Sequence, residues 1–311
     1  MKKRHIGREY CVGHKIYNSR SGRHRRTARL SGREYRFQSK QGVKHVRGRF
    51  VFQEDFVYSM PVHFGGHPFY PVRTVYGDMS GINVRFETEP DALLPLIPEA
   101  FELRGPTVSV QYANARDVEW MAGGEYRLIQ VSAPVRYMGN SEGLEGEYVF
   151  VIWENKACPI IGGREEDGMP KVFADIASER HIGDRWFTSA SFESFGFLAL
   201  DFTSKGELPE RDVAVMNENS KVNFFGWRYL PNLGKGGAAL SHATLYPQEM
   251  RVNRAWTGEG AIRWTKPSYE QHPLQWRIIG TLADLPVVRS LGASMFRGVA
   301  RLNVGDSRML P

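Results

Sequence analysis

Between Glu125 and Trp153 the chain reads EYRLIQVSAPVRYMGNSEGLEGEYVFVIW, and the reading of this stretch decides the fold. Two runs dense in β-branched and aromatic residues, 125–137 and 147–153, flank a cluster of Gly, Asn and Ser. Such side chains fit a pleated surface and the polar cluster supplies turn chemistry, so the stretch predicts two antiparallel strands. Tyr148, Phe150 and Ile152 alternate with their neighbours, a pattern that suits a sheet with one wet face.

The same texture extends outward in both directions. VSVQYA (108–113), RWFTSASF (185–192), FGFLALDF (195–202), KVNFFGWRYL (221–230), AALSHATLY (238–246) and AIRWT (261–265) all read as strands between Gly, Pro, Asn and Asp clusters. Helices are few. TEPDALLPLIPEAF (88–101) opens with Thr88 as a cap, Pro90 in the first turn and Asp91 three residues on, but Pro95 and Pro98 must shorten or break it. A second helix is expected over SLGASMFRGVARL (290–302), where Leu291, Met295 and Val299 recur at helical spacing. KVFADIAS (171–178) fits a short helical turn or an extended piece. The sum is a β-rich α+β domain over 51–311, with no repeat of 20–50 residues.

Charge divides the chain at the same point. Residues 1–50 hold 16 Lys/Arg against 2 Asp/Glu, whereas the rest hold 25 against 32, so a formal net charge of +7 conceals a mildly acidic body. The basic head lacks apolar periodicity and is expected to be a disordered extension. Contact with nucleic acid and a role as an organelle transit segment are the other readings of such a tail, and both stay open. No run approaches the ~18 apolar residues of a membrane span and no secretory leader is visible, so a cytoplasmic protein is expected, with no membrane partner. Cys11 and Cys158, far apart in sequence, make a poor disulfide framework and cannot by themselves build a zinc site.

Most chemical motifs are missing. His63 and His67 stand four apart, but Gly65, Gly66 and Pro68 break the helix that would give that spacing meaning as a metal pair. GKGGAAL (234–240) lacks phosphate-loop order and reads as a hairpin loop, and no GxSxG elbow is present. No metal or cofactor site is expected. The exception is GGREEDGMPKVFADI (162–176), where Lys171 sits between Pro170 and the apolar pair Val172–Phe173. Desolvation disfavours an ammonium and yields the free amine that must attack a carbonyl. A lysine with Glu165, Glu166 and Asp167 close by is equally a solvated surface charge, and local composition alone favours that outcome.

The order of motifs along the chain carries more weight. YSMPVHFGG (58–66), INVRFETEPDALLPLIPEAFEL (82–103), PVRYMG (134–139), GREEDGMPKVFADI (163–176), VNFFGWRYLPN (222–232), NRAWTGEGAIRW (253–264) and LADLPV (282–287) follow one another as in the acetoacetate decarboxylase superfamily, whose longer members this chain resembles from Asp55 to Met309. The resemblance implies a cone-shaped antiparallel β-barrel with few flanking helices, enclosing an apolar pocket, in a homo-oligomer. It implies a carbon–carbon lyase working through a Schiff base on a small-molecule carbonyl substrate, without a cofactor. The lysine of the GRE-x4-PK block forms the imine in that family, where it is activated by desolvation or a cationic neighbour, and Lys171 occupies its place.

The resemblance also marks departures. The family's second lysine falls at Val172. Counting back from Pro134, the glutamate of its Tyr-x-Glu triplet falls at Leu128, after Tyr126. A further acidic position matches Gln111, and the expected arginine falls at about Met79, with Glu125 or Arg73 as substitutes if the loops slip. Tyr126, Leu128, Gln111, Met79 and Glu125 are therefore the expected substrate-binding residues beside a catalytic Lys171. Without the arginine and glutamate, acetoacetate is a poor candidate, and the pocket suits a larger, less charged carbonyl compound. Decarboxylation is placed slightly ahead of aldol, retro-aldol and dehydration chemistry. A non-catalytic binding descendant of the same fold is the alternative.

Overall fold

The computed structural model describes residues 47–68, 73–139 and 143–311, apart from the side chain of Arg73. Most of the basic head, with Cys11, lies outside those residues. Val51–Pro311 make up one compact unit.

Strand-forming residues produce nine strands of eight residues or more: β1 (Arg73–Glu87), β2 (Thr107–Val118), β3 (Gly124–Tyr137), β4 (Glu145–Glu154), β5 (Arg185–Phe192), β6 (Phe195–Glu207), β7 (Lys221–Pro231), β8 (Ala238–Trp264) and β9 (Arg289–Asn303). Four α-helices accompany them, α1 (Pro90–Leu93), α2 (Ala157–Glu165), α3 (Glu210–Glu218) and α4 (Trp276–Ala283). Hydrogen bonding runs β8–β7–β4–β3–β2–β1–β9 and returns from β9 to β8, so seven strands close on themselves. Closure satisfies the strand edges internally and creates an inside. Within this ring all pairs are antiparallel except β7 with β4, which meet in parallel at Phe224↔Glu147 and Phe225↔Tyr148. The far half of β8 leaves the ring to pair with β6, and β6 pairs with β5. AALSHATLY and AIRWT, which read as separate strands, are the two ends of β8.

Three expectations change on contact with the structure. The helix over 290–302 is strand β9, laddered to β1 on one side and β8 on the other. The spacing of Leu291, Met295 and Val299 is coincidental. Gly292, at φ +80°, and Gly298, where a Cβ would stand 2.1 Å from the Arg251 carbonyl oxygen, suit close strand packing and would weaken a helix. Over 88–101 the prolines leave only α1 and a 3-10 turn at Leu94–Leu96, and the cap is Glu89, not Thr88. KVFADIAS is extended, with a short strand at Lys171–Phe173.

The third change decides where the site lies. β4 is buried on both faces, not wet on one. Val151 and Trp153 enter the main core with Phe197, Leu200, Phe202 and Ile279, while Ile152 and Glu154 point into the ring. Truncating a side chain such as Trp153 costs about 3–5 kcal/mol. Trp153 also donates to Gln275 Oε1 at 2.6 Å, and Gln275 Nε2 donates to the Phe173 carbonyl at 3.0 Å. These bonds tie the start of α4 to the short strand that carries Lys171.

Candidate active site

The GRE-x4-PK block has a physical reason for several of its fixed positions. α2 brings Gly163 directly over the lysine: a Cβ there would stand 2.3, 2.4 and 2.7 Å from Lys171 Cδ, Cε and Nζ. Only a glycine leaves the side chain its path. Arg164 donates from Nη1 to the Lys171 carbonyl at 3.0 Å. The Met169 amide caps the Gly163 carbonyl at 2.8 Å, and Pro170 accepts from the Ile152 amide at 3.0 Å, which seats the loop on β4. The short strand then runs parallel to β4, with Lys171 opposite Ile152 and Phe173 opposite Glu154.

Lys171 is buried, and its Nζ lies 2.9 Å from Oε1 of Glu154, which is fully buried. Beyond that pairing neither Glu154 oxygen has a hydrogen-bond partner among the described residues. Burial pushes the Glu154 carboxyl above its ordinary range, and the Lys171 charge opposes that shift only in part. Burial weakens the solvation of separated charge, so moving the proton from nitrogen to oxygen costs less here than in water. The result of that transfer is a neutral amine beside a neutral acid.

Side chains from all seven ring strands line a cavity of about 60 Å³ around this pair. Met79, Gln111, Tyr126 and Leu128 all face it, together with Tyr76, Gln130, Ile152, Tyr246 and Gln248. Glu125 does not. It is exposed, one residue out of phase with Tyr126 on β3, where alternation sends it to the opposite face. The side chain of Arg73 lies outside the described residues. The cavity, about 60 Å³, is less than half the ~150 Å³ that admits benzene in an apolar core, so the larger guest expected from Leu128 and Met79 needs more room than this space alone provides.

Val172 turns out to be irrelevant to the amine. It packs against the main core on the other side of its strand, so a cation at that position would point away from Lys171. A carboxylate does stand beside the lysine, at Glu154. Leu128, where the family's glutamate was expected, is the direct cross-strand partner of Glu154. Sequence reading missed Glu154, although the alternation of Tyr148, Phe150 and Ile152, continued by one step, lands on it.

The rest of the wall is neutral. Burial raises the Tyr126 and Tyr246 hydroxyls well above their ordinary range and raises Tyr76 as well, so all three remain hydroxyl donors at neutral pH. Tyr126 and Tyr76 stand 3.5 Å apart, oxygen to oxygen. Near the pair, Asp167 is pushed up to about 6, chiefly by burial, with the Lys171 charge pulling the other way. Among the described residues no cluster of three His, Cys, Asp or Glu side chains has metal-binding geometry.

Comparison with known proteins gives a consistent family. The model of the acetoacetate decarboxylase (ADC) family matches residues 59–309. An acetoacetate decarboxylase of Bordetella avium is 25% identical over 250 residues, which span 80% of this chain and 93% of that protein. The solved acetoacetate decarboxylase of Legionella pneumophila superposes with a TM-score of 0.63 at 19% identity, covering 86% of this chain and 93% of that one. An enduracididine biosynthesis enzyme solved with pyruvate gives a TM-score of 0.60 at 16% identity, over 82% of this chain and 97% of that one. These two structural likenesses are likenesses of fold.

Proposed function

The chain belongs to the acetoacetate decarboxylase family, and from that premise we propose that it is a carbon–carbon lyase forming a Schiff base through Lys171 on a β-keto acid or a related apolar carbonyl compound. The observation that carries the reading is the buried lysine nitrogen 2.9 Å from a fully buried carboxylate, at the wall of a cavity inside the strand ring.

In this reading Glu154 takes a proton from the Lys171 ammonium. The free amine adds to the substrate carbonyl carbon, and the acid returns its proton to the carbonyl oxygen, giving a carbinolamine. The same carboxyl takes a proton from nitrogen and passes it to the departing hydroxyl, which leaves as water and gives an iminium. Breaking the adjacent carbon–carbon bond sends its electron pair into the iminium, producing an enamine and either carbon dioxide from a β-carboxylate or, when Glu154 takes the proton of a β-hydroxyl, an aldehyde. Protonation at carbon and hydrolysis then release the product and restore the lysine. Tyr126 and Tyr246, kept neutral by burial, are placed to donate to the carbonyl oxygen. General acid–base help of this kind is worth roughly 10²–10⁴ in rate. Decarboxylation is ranked ahead of aldol, retro-aldol and dehydration chemistry on family membership alone. Assembly of several copies and a separate role for residues 1–50 belong to the same reading, and light scattering on the full chain and on a form starting at Val51 checks both.

The second reading is a binding protein of the same fold that forms no imine. It draws on Met79, Gln111 and Leu128, which remove the charged groups of the family's pocket. Incubation with a panel of keto acids, ketones and aldehydes under borohydride, followed by peptide mass mapping, separates the two. A reduced adduct on Lys171 that is lost in Lys171→Ala supports the lyase. No adduct with any carbonyl compound leaves only the binding protein.

A further inference from the structure

The ionisable groups that line the cavity are few and already balanced. Among the described residues, Lys171 is the one cation in the wall and Glu154 the one carboxylate, 2.9 Å apart. Every other lining group is uncharged: the hydroxyls of Tyr76, Tyr126 and Tyr246, the amides of Gln111, Gln130 and Gln248, and aliphatic or aromatic carbon. Leu128 and Met79 stand where the sequence comparison expected a carboxylate and a guanidinium. The cavity therefore offers no spare positive charge to a guest.

A carboxylate guest entering this space would make a buried triad of one ammonium and two carboxylates. Its net charge of −1 would be shielded only by amides and hydroxyls. An uncompensated buried charge is strongly unfavourable, and the cheapest relief is a proton on one of the carboxylates. Glu154 is the natural site for it, since its second oxygen has no donor and it is fully buried. Once protonated, it leaves Lys171 free to pair with the guest and can itself donate a hydrogen bond. An uncharged carbonyl guest disturbs nothing.

We propose that Glu154 is the residue that sets which carbonyl compounds the pocket accepts: a carboxylate-bearing compound enters together with one proton taken up by Glu154, whereas an uncharged one enters without it. This rests on the reading of the cavity as the substrate site and sharpens it, because it makes the proton a co-ligand for β-keto acids. The groups facing Glu154 are Lys171 on the short strand, Tyr76 on β1, Tyr126 on β3, Tyr246 on β8 and Asp167 in the loop after α2. Of these, Asp167 is the other carboxyl that could take the proton. It stands outside the lining, which is why Glu154 is preferred.

Propionate and propanamide, nearly isosteric and unable to form an imine, make the test. Titration calorimetry on the full-length protein in two buffers of different ionisation enthalpy, at several pH values between 6 and 8.5, counts protons taken up. The expected result is uptake of about one proton per propionate, with affinity falling up to about tenfold per pH unit, and none for propanamide. Glu154→Gln should bind propionate with the uptake abolished and the pH slope flattened. Propionate binding without proton uptake overturns the proposal. So does uptake that survives in Glu154→Gln and disappears in Asp167→Asn, which would move the role to Asp167. If neither compound binds, the cavity is not a ligand site and the proposal falls with it. Borohydride trapping of acetone on Lys171 depends on none of these outcomes, so the imine reading stands or fails separately.

Discussion

Two carboxylates lie close to the sheet formed by β1, β2 and β3 with β4, on its opposite faces, and their surroundings could hardly differ more. Glu179 receives the hydroxyl of Tyr112, the Ser80 Oγ at 2.8 Å and the Asn114 Nδ2 at 3.0 Å, with Arg116 Nη1 at 3.7 Å. Among the described residues, Glu154 has Lys171 as its one hydrogen-bonding or ionic partner. Both are desolvated, which by itself raises a carboxyl. For Glu179 the hydrogen bonds outweigh desolvation and hold the group below its ordinary range, whereas for Glu154 desolvation wins. Parity along the strands assigns the faces: Ser80, Tyr112 and Asn114 turn to Glu179, while Met79, Gln111 and Ala113 turn to the cavity. The difference teaches that a fully supplied carboxylate holds a loop in place, and an undersupplied one is available for chemistry.

The largest expected effect comes from removing the cation. Lys171→Ala should abolish any borohydride-trappable adduct and, by leaving Glu154 buried and unpaired, cost about 3–5 kcal/mol of stability by denaturant titration. The double variant Lys171→Ala/Glu154→Gln should recover much of that loss. If the single variant is as stable as the parent, the pair is not the buried ion pair described above.

Next comes the glycine. Gly163→Ala should push the lysine chain aside, since the new Cβ would fall within 2.7 Å of its last three atoms. Displacement of about 1 Å costs on the order of 10² in rate, while a helical alanine tends to stabilise. Trapping rate and melting temperature should therefore change independently, and a parallel fall in both would mean a general packing defect.

Glu179→Gln acts on the other side of the comparison. It should cost about 1–3 kcal/mol at neutral pH and leave trapping on Lys171 almost unchanged. Because folding lowers this carboxyl, its contribution is complete above the unfolded value of 4.5 and is lost as pH falls through the folded value. The variant should therefore show a shallower acid limb in a plot of stability against pH. Glu154 has the opposite sign: its folded value is raised, so stability from its protonation grows as pH falls through that value.

The smallest effect belongs to Asp167. As pH rises through about 6 it ionises and places a further negative charge near Lys171, which favours the ammonium over the reactive amine. A step in the pH profile of trapping near 6 should disappear in Asp167→Asn. An unchanged step would assign it to another group.

Much of this could be read from the chain itself. Strands β2 to β7 follow from runs of β-branched and aromatic residues between turn clusters. Lys171 follows from its place in an ordered set of motifs, Tyr126 and Leu128 from matching the family's Tyr-x-Glu triplet by counting back from Pro134, and Gln111 and Met79 from the same family resemblance. Misreadings have common causes. β9 carried a helical spacing that only its two ladder partners overrule. Glu125 was chosen for its charge when strand parity already excluded it. α2, α3 and α4 lack strong signals: α2 contains Pro159 and two glycines, one of which, Gly163, packs on Lys171. Glu154 needed one further step of an alternation already noticed, plus the pairing of β3 with β4 that sets it opposite Leu128.

The most direct measurement compares the two carboxylates at the lysine itself. Rates of reductive trapping of acetone, with the adduct mapped to the peptide carrying Lys171, are measured at pH 7 for the parent, Glu154→Gln and Glu179→Gln. The account predicts that Glu154→Gln slows trapping by about 10² or more and that Glu179→Gln stays within roughly threefold of the parent. Equal trapping in the parent and Glu154→Gln would contradict it.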